Sequence, residues 1–373
     1  MRNRAGVGSA SGDARRKTVM VAVLTVLLVL GAVANGWAAG AGEDDSDSLT
    51  FGMVIKYPGT PYIEAFIHAA ETTAEELGVE LIVRDGEGDA QTIMNHMDTF
   101  ILEEIDGFIM AGAVDQRAIV PGVMMLNEAE IPIVAIDTSP EGGEVDYFIS
   151  ADVTQQSAKA AEAFVADIAA RHDGDVPEGV VIEITGDVRD MYTRAANEGF
   201  MSVVGRYSQL EVAQGDGKWN NIDSHDRTTD LLTRYGDDVL GVYVHTPDIM
   251  GPGVVEAIRG AGLTPRDYSI TGTWMGPEGQ ALIRDGDVLG IVAMPAYAPA
   301  QMAVELLYDL ARGNPVPQLG DVLDDPDAIW SPAAVKESPW ADGLYIEMQA
   351  PIVPLEVDVD DPRLWENRLS DLW

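Results

Sequence analysis

One feature constrains this chain more than any other. From residue 49 onward, short runs of nearly continuous Val, Ile, Phe and Met alternate with longer stretches whose apolar residues recur at helical spacing. Residues 49–56 read as a strand. The stretch 61–77 carries Ile63, Phe66, Ile67, Ala70, Ala74 and Leu77 on one helical face and is closed by Gly78, so it reads as an amphipathic helix. The alternation continues with strand 79–83, helix 90–104, strand 107–110, helix 115–129 and strand 131–136. Strands without an alternating polar face are buried on both sides, which requires a parallel sheet covered by helices on each face. A second series follows: helix 152–171, strand 180–185, helix 190–204, strand 209–213, helix 224–235, strand 239–244, helix 249–261, strand 268–273, helix 277–284 and strand 288–293. The expected fold class is α/β, with two doubly wound parallel-sheet lobes in tandem. A helix at 297–312, a Pro-rich stretch at 314–340 and a strand-like stretch at 344–357 are shared between the lobes.

Length agrees with that division, because 373 residues exceed the roughly 250 to 300 at which a single core stops growing. Charge then narrows the partners. Lys and Arg total 23 against 62 Asp and Glu, a net charge of -39, which repels phosphate backbones and anionic membranes and argues against a nucleic-acid partner. The chain has no cysteine, so it has no disulfide, thiolate metal site, catalytic thiol or lipid-modified cysteine. Ahead of the alternation, Arg2, Arg4, Arg15, Arg16 and Lys17 precede an apolar run at 19–33. Small residues around Ala38–Ala41 follow, and then Glu43, Asp44 and Asp45. This is the three-part form of an export signal. The apolar run spans about 22 Å as a helix, short of a hydrocarbon layer of about 30 Å. Residues 1–41 are therefore read as signal and cleavage region and 42–48 as a linker, with a periplasmic, soluble product.

Enzyme signatures are missing: there is no G-x-S-x-G, H-E-x-x-H, G-x-x-x-x-G-K-[ST] or G-x-G-x-x-G,. Asp85, Glu87 and Asp89 start with calcium-loop spacing, but Ala90 stands at the turn glycine and His96 at the closing Glu,. His68, His96, His172, His225 and His245 are too scattered for a paired metal motif,. The expectation is a binding protein without catalytic residues, metal or cofactor.

In open α/β sheets, ligands bind outside the carboxyl ends of the strands. The loops there carry Lys56 to Tyr62, Asp137 and Thr138, the segment from Asp187 to Arg194, Trp219, His245 to Asp248, and Thr273 to Met275. Aromatic faces with Asp and Arg suit a polyhydroxylated ligand, since C–H faces stack on rings while hydroxyls bond to carboxylate and guanidinium. A sugar or polyol site follows.

At these residues the chain resembles the ribose/galactose-type sugar-binding proteins of ABC importers, which have the type I periplasmic-binding fold. The resemblance covers 49 to about 315. It is carried by Thr60-Pro61-Tyr62, by Ile131 to Asp137, by Ile149-Ser150-Ala151-Asp152, by Arg194 to Phe200, and by Gly276 to Gly279. It implies two lobes joined by a three-crossing hinge, near 150–152, near 293–295 and within 344–350. Lobe 1 is then 49–150 plus 294–345, and lobe 2 is 151–293 plus 346–373. It also implies that Asp137 and Arg194 bond ligand hydroxyls, that Tyr62 and Trp219 stack on the ring, and that Thr60, Thr246 and Trp274 line the pocket. Asp152, at the first crossing, is counted with this set. The chain departs from the ribose pattern at Thr138, Thr246-Pro247 and Trp274, which puts ribose itself in doubt as the ligand. The implied partners are a sugar-like small molecule and the membrane subunits of an ABC importer, for a monomeric protein. Alternatives to this reading are a ligand-sensing domain for a chemoreceptor or kinase and an exported carbohydrate-active enzyme using paired carboxylates. A transcription regulator of the same two-lobe fold would need a DNA-binding module where the export signal stands.

Overall fold

The computed structural model of the protein describes residues 48–113 and 115–372, so the expected export signal lies outside the described residues. The first strand, β1 (Thr50–Ile55), leads into α1 (Pro61–Leu77). The Thr60 hydroxyl accepts from the Ile63 N–H at this helix's start, Pro61 occupies the first turn, and Gly78 ends it at φ 68°, the left-handed conformation that glycine adopts without penalty. Next come β2 (Glu80–Asp85), α2 (Ala90–Leu102), β3 (Gly107–Ala111), α3 (Val120–Glu128), β4 (Ile133–Ile136) and β5 (Glu144–Ala151). The second series runs α4 (Val153–Arg171), β6 (Gly179–Thr185), α5 (Met191–Val204), β7 (Leu210–Asp216), α6 (Asn221–Tyr235), β8 (Val239–Val244), α7 (Pro247–Gly260), β9 (Ser269–Thr273), α8 (Pro277–Asp285) and β10 (Gly290–Val292). The chain closes with α9 (Tyr297–Arg312), β11 (Val322–Leu323), β12 (Ala333–Glu337), β13 (Asp342–Met348), β14 (Ile352–Val353) and the short α10 (Trp365–Arg368).

These strands form two sheets. The first has the order β11-β12-β13-β5-β4-β3-β1-β2 and the second β14-β10-β9-β8-β6-β7. Pairing is parallel throughout the doubly wound parts. It is antiparallel only where β12 joins β11 and β13 and where β14 joins β10. Each sheet is buried on both faces. In the first lobe, β1 and α1 contribute Phe51, Met53, Phe66 and Ala70 to a core completed by Ala303, Val304 and Leu307 of α9. Phe100, Phe108 and Ile133 fill the opposite face. In the second lobe, Phe164, Phe200 and Tyr243 pack on one side, and Val242, Val254 and Ile270 on the other. The chain passes between the sheets at 151–153, 293–296 and 349–351.

Three parts differ from the sequence reading. The sequence reading places no element between strand 131–136 and helix 152–171; β5 fills this gap, the chain doubling back through 137–143 without a helix so that β5 joins β4 in parallel. The helix expected at 115–129 begins only at Val120, because 115–119 form turns that bring Gln116 inward, where it is fully buried. The end of the chain does not belong to lobe 2 alone. β13 completes the first sheet, and Trp365 and Leu369 join the first-lobe core while Leu364 joins the second-lobe core. Gln280 of α8 donates to Val359 O and to Asn367 Oδ1, and Arg284 pairs with Asp360 at 2.7 Å, so the tail is also tied to the second lobe.

Candidate functional site

The carboxyl ends of the strands in both sheets meet around one cavity. From the first lobe come Lys56, just after β1, Thr60 and Tyr62 at the start of α1, and Asp137, just after β4. From the second come Asp190 and Tyr192 at the start of α5, Trp219 after β7, Thr246 and Asp248 at the start of α7, and Trp274 after β9. The free space between these walls is about 60 Å³.

The backbone is bent to present these groups. Asp137 has φ 69°, Trp219 φ 57° and Trp274 φ 69°, left-handed conformations that are uncommon outside glycine and concentrate at functional sites. Two glycines make room for them. A Cβ on Gly186 would lie 2.0 Å from the Trp219 ring, and one on Gly112 would lie 2.7 Å from Asp137 Oδ2.

Two kinds of carboxylate line the space. Asp190 is fully buried and fully engaged. It pairs with Lys56 Nζ at 2.5 Å and accepts from Gln116 Nε2 at 2.9 Å and from the Tyr192 N–H at 3.0 Å. Gln116 Oε1 in turn accepts from the Met191 N–H at 2.9 Å. Lys56 and Gln116 belong to the first lobe and Asp190 and Met191 to the second, so these bonds cross the cleft. Burial alone would lower the Lys56 pKa, but Asp190 above all, with Tyr57 and Asp137, raises it above its ordinary value. Asp137 is the opposite case: among the described residues no donor bonds its carboxylate. Burial pushes it up to about 7; Lys56 opposes the rise and Asp190 adds to it. Asp248 stands between the two. Burial raises it to about 6, against the Gly279 N–H that donates to it at 2.9 Å.

Aromatic rings form the remaining walls. Tyr62 meets Trp274 edge-on across the cleft. Tyr192 lies 5.6 Å from Trp219 and 5.8 Å from Trp274, centroid to centroid, and its hydroxyl bonds to Thr273 Oγ1. Lys56 Nζ stands 5.8 Å from the Trp219 ring centre. Trp219 Nε1 and Thr246 Oγ1 are buried with no partner among the described residues, and both residues line the cavity.

The sequence pattern described as the periplasmic binding protein domain matches residues 51–315. The chain belongs to this family. Ribose import binding protein RbsB of Bacillus subtilis is 24% identical over 286 residues, covering 75% of this chain and 87% of that protein. The HTH-type transcriptional repressor PurR of Glaesserella parasuis is 24% identical over 226 residues, covering 60% of this chain and 62% of the repressor. Among solved structures, a substrate-binding protein of a sugar ABC transport system from Bordetella parapertussis superimposes with a TM-score of 0.71 at 19% identity, covering 86% of this chain and 93% of that one. The two-lobed α/β architecture with mostly parallel sheets is the one these periplasmic binding proteins share.

Within this periplasmic binding protein, the residues singled out from the sequence are placed as follows. Thr60, Tyr62, Asp137, Trp219, Thr246 and Trp274 all line the one cavity. Asp152 and Arg194 do not. Asp152 caps α4, its carboxylate accepting from the Gln155 N–H at 3.0 Å, and it lines an adjoining hollow of about 240 Å³ at the hinge that shares Asp137 and Tyr192 with the first. Arg194 lies on α5, but its guanidinium turns outward. It donates to the carbonyls of Val188 and Arg189 and pairs with Glu141 of the first lobe. The physical reason is local: Asp190, one turn earlier, already takes the inward position, and Glu141 offers Arg194 a charge at the rim. The strand-end rule took in the loops carrying Lys56, Asp190, Tyr192 and Asp248 but did not single these four out as lining residues. Asp190 and Tyr192 are placed by the capping of α5, because the Asp190 side chain accepts from the Tyr192 N–H, and the same turn aims both into the cleft. Among the described residues, no group of three or more His, Cys, Asp or Glu is arranged to hold a metal ion.

Proposed function

We propose that this protein is an exported solute-binding protein that captures a sugar, polyol or related small hydroxylated molecule between its lobes and delivers it, as a monomer, to the membrane subunits of an ABC importer. The observation that carries this reading is the cavity walled by both lobes and sited at strand ends, with the chain crossing between sheets at three places. A ligand held there touches both lobes at once, so it favours the closed arrangement and shifts the population toward it. Tyr62, Trp219 and Trp274 supply ring faces, Asp137 and Thr246 supply hydrogen bonds, and Thr60 holds the turn that carries Tyr62. Asp152 and Arg194 act one step removed, as a helix cap and as a rim contact between lobes. Ribose import and sugar transport, the roles named for two of the similar proteins, support the ligand class. The net charge of -39 supports a small-molecule partner over nucleic acid.

The test is a thermal-shift screen of the purified protein against pentoses, hexoses, polyols, inositols and nucleosides. A ligand present at 100 times its dissociation constant adds about 2.7 kcal/mol, and at least one sugar or polyol is expected to do so. A screen in which none shifts the transition overturns the proposal, and turnover of a bound glycoside would replace it with an enzyme.

A further inference from the structure

The reading of the cavity as a sugar-type site leaves its charge unexplained. Its walls carry the carboxylates of Asp137, Asp190 and Asp248 and a single cation, Lys56. That cation is committed: its ammonium sits 2.5 Å from Asp190 Oδ2. The nearest arginine expected from the sequence, Arg194, is tied to Glu141 outside the cavity. Asp137 is therefore left facing the ligand space with Lys56 acting on it only from a distance, and Asp248 with only backbone donors. A nearby buried acid does not add to this imbalance. Glu366, on α10, is 2% exposed and both its carboxyl oxygens lack partners among the described residues, but burial above all, with Asp248 adding, raises its titration well above the ordinary value, so it stays neutral and adds no charge to the cavity.

We propose that the ligand is a hydroxylated amine, of the amino-sugar or aminocyclitol class, whose ammonium group lies among the rings of Tyr62, Tyr192, Trp219 and Trp274 and pairs with Asp137. This rests on the sugar-type reading above and sharpens it. An ammonium brings three donors and a full positive charge, so its bond to a carboxylate carries charge on both partners and neutralises it, whereas a sugar hydroxyl brings a donor without charge. Aromatic faces attract cations within about 6 Å of the ring centre, most strongly where water is excluded. A neutral sugar would instead complete the drying of Asp137 and leave its charge unbalanced, which buried carboxylates avoid. The raised titration of Asp137, to about 7, agrees: a carboxyl in this position gives up its charge near neutrality unless a cation stabilises it. Anionic ligands are excluded by the same count of charges. The groups acting on Asp137 are Lys56 and Asp190, with Tyr57, Tyr62 and Tyr192 around them.

Calorimetric titration of the purified protein with matched sets tests this. Each set holds an amine, its neutral parent and its neutral N-acetyl form, for example glucosamine, glucose and N-acetylglucosamine; the galactose and inositol sets are built likewise. At least one amine is expected to bind about tenfold or more tighter than its neutral parent. Its affinity is expected to rise as pH passes upward through about 7, with no matching rise for neutral forms. Asp137→Asn is expected to erase the preference while keeping the shape of the site. If neutral sugars bind as well as or better than the amines, the amine inference falls and sugar capture stands. If no member of any set binds, both fall. An amine preference that Asp137→Asn leaves intact, or that ignores pH in the unaltered protein, removes Asp137 as the partner of the ammonium and overturns the proposal.

Discussion

Asp190 and Asp137 share one cavity and have opposite surroundings. Asp190 caps a helix, is fully buried and takes bonds from a lysine, a glutamine and a backbone N–H. Asp137 sits on a left-handed turn after β4 and takes none from any described residue. The same side chain is a structural fastener in one corner and an unfilled acceptor in the other. The difference comes from where donors converge. At the start of α5, one backbone N–H meets a glutamine amide and a cation from the facing lobe on one carboxylate. At the end of β4, the chain turns away before any donor is placed. A cleft of this kind needs both: one set of groups satisfied by the protein and another left for the ligand.

The sharpest way to break this contrast is Asp190→Ala. It strands Lys56 as a buried charge, and breaking a buried pair by removing one partner costs about 3 to 5 kcal/mol. Urea unfolding is expected to show that loss, with partial recovery in a Lys56→Met, Asp190→Ala double variant; an unchanged midpoint would mean the pair contributes nothing. Gly186→Ala comes next. Its new Cβ would push the Trp219 ring from its seat, with an expected loss of about 1 to 3 kcal/mol and an altered tryptophan emission spectrum. Identical stability and emission would show that the ring is not held there.

The third test uses pH. Asp137 is held at about 7 in the folded protein by burial, against about 3.9 in an unfolded chain. A carboxyl raised on folding favours the folded state below its unfolded pKa, and that contribution is lost as pH rises through the folded value. Stability is therefore expected to fall between about pH 4 and about pH 7, and Asp137→Asn is expected to flatten that slope and to unfold later than the unaltered protein above it. Parallel stability curves for the two proteins across this window would contradict the assignment. Asp248, raised to about 6, adds a smaller slope that ends earlier and survives in the variant. The smallest effect belongs to Arg194→Ala. A partly exposed ion pair is worth about 1 kcal/mol or less, so ligand affinity is expected to change by no more than about fivefold. A much larger loss would bring Arg194 back into the binding set.

Much of this architecture was legible because it rests on periodicity. Buried parallel strands are apolar runs and their covering helices are amphipathic, so most elements of both lobes follow from Val, Ile and Phe spacing alone. The strand-end rule then picked out Thr60, Tyr62, Asp137, Trp219, Thr246 and Trp274, which line one cavity. What stayed hidden depends on tertiary partners. Strand β5 breaks the strand-helix-strand rhythm, and its exposed Glu144 and Asp146 disguise the buried positions between and after them. Arg194 lies on the same helix as Asp190, and only the position of Glu141 on the other lobe decides that it faces the rim. Lys56 reads as a strand-end surface charge until Asp190, far along the chain, is brought to it.

The tail fixes the way the lobes can move. Leu364 is anchored in one core and Trp365, the next residue, in the other. Adjacent Cα atoms are about 3.8 Å apart and cannot separate further. Unless one of those side chains is pulled from its core, this peptide bond is a fulcrum: the axis of any opening passes close to it, and the gap between lobes grows with distance from it. Trp365 lies 6.1 Å from Tyr62, ring to ring, so the fulcrum stands beside one wall of the cavity. With the crossings at 151–153, 293–296 and 349–351, this junction is a fourth tie between the lobes.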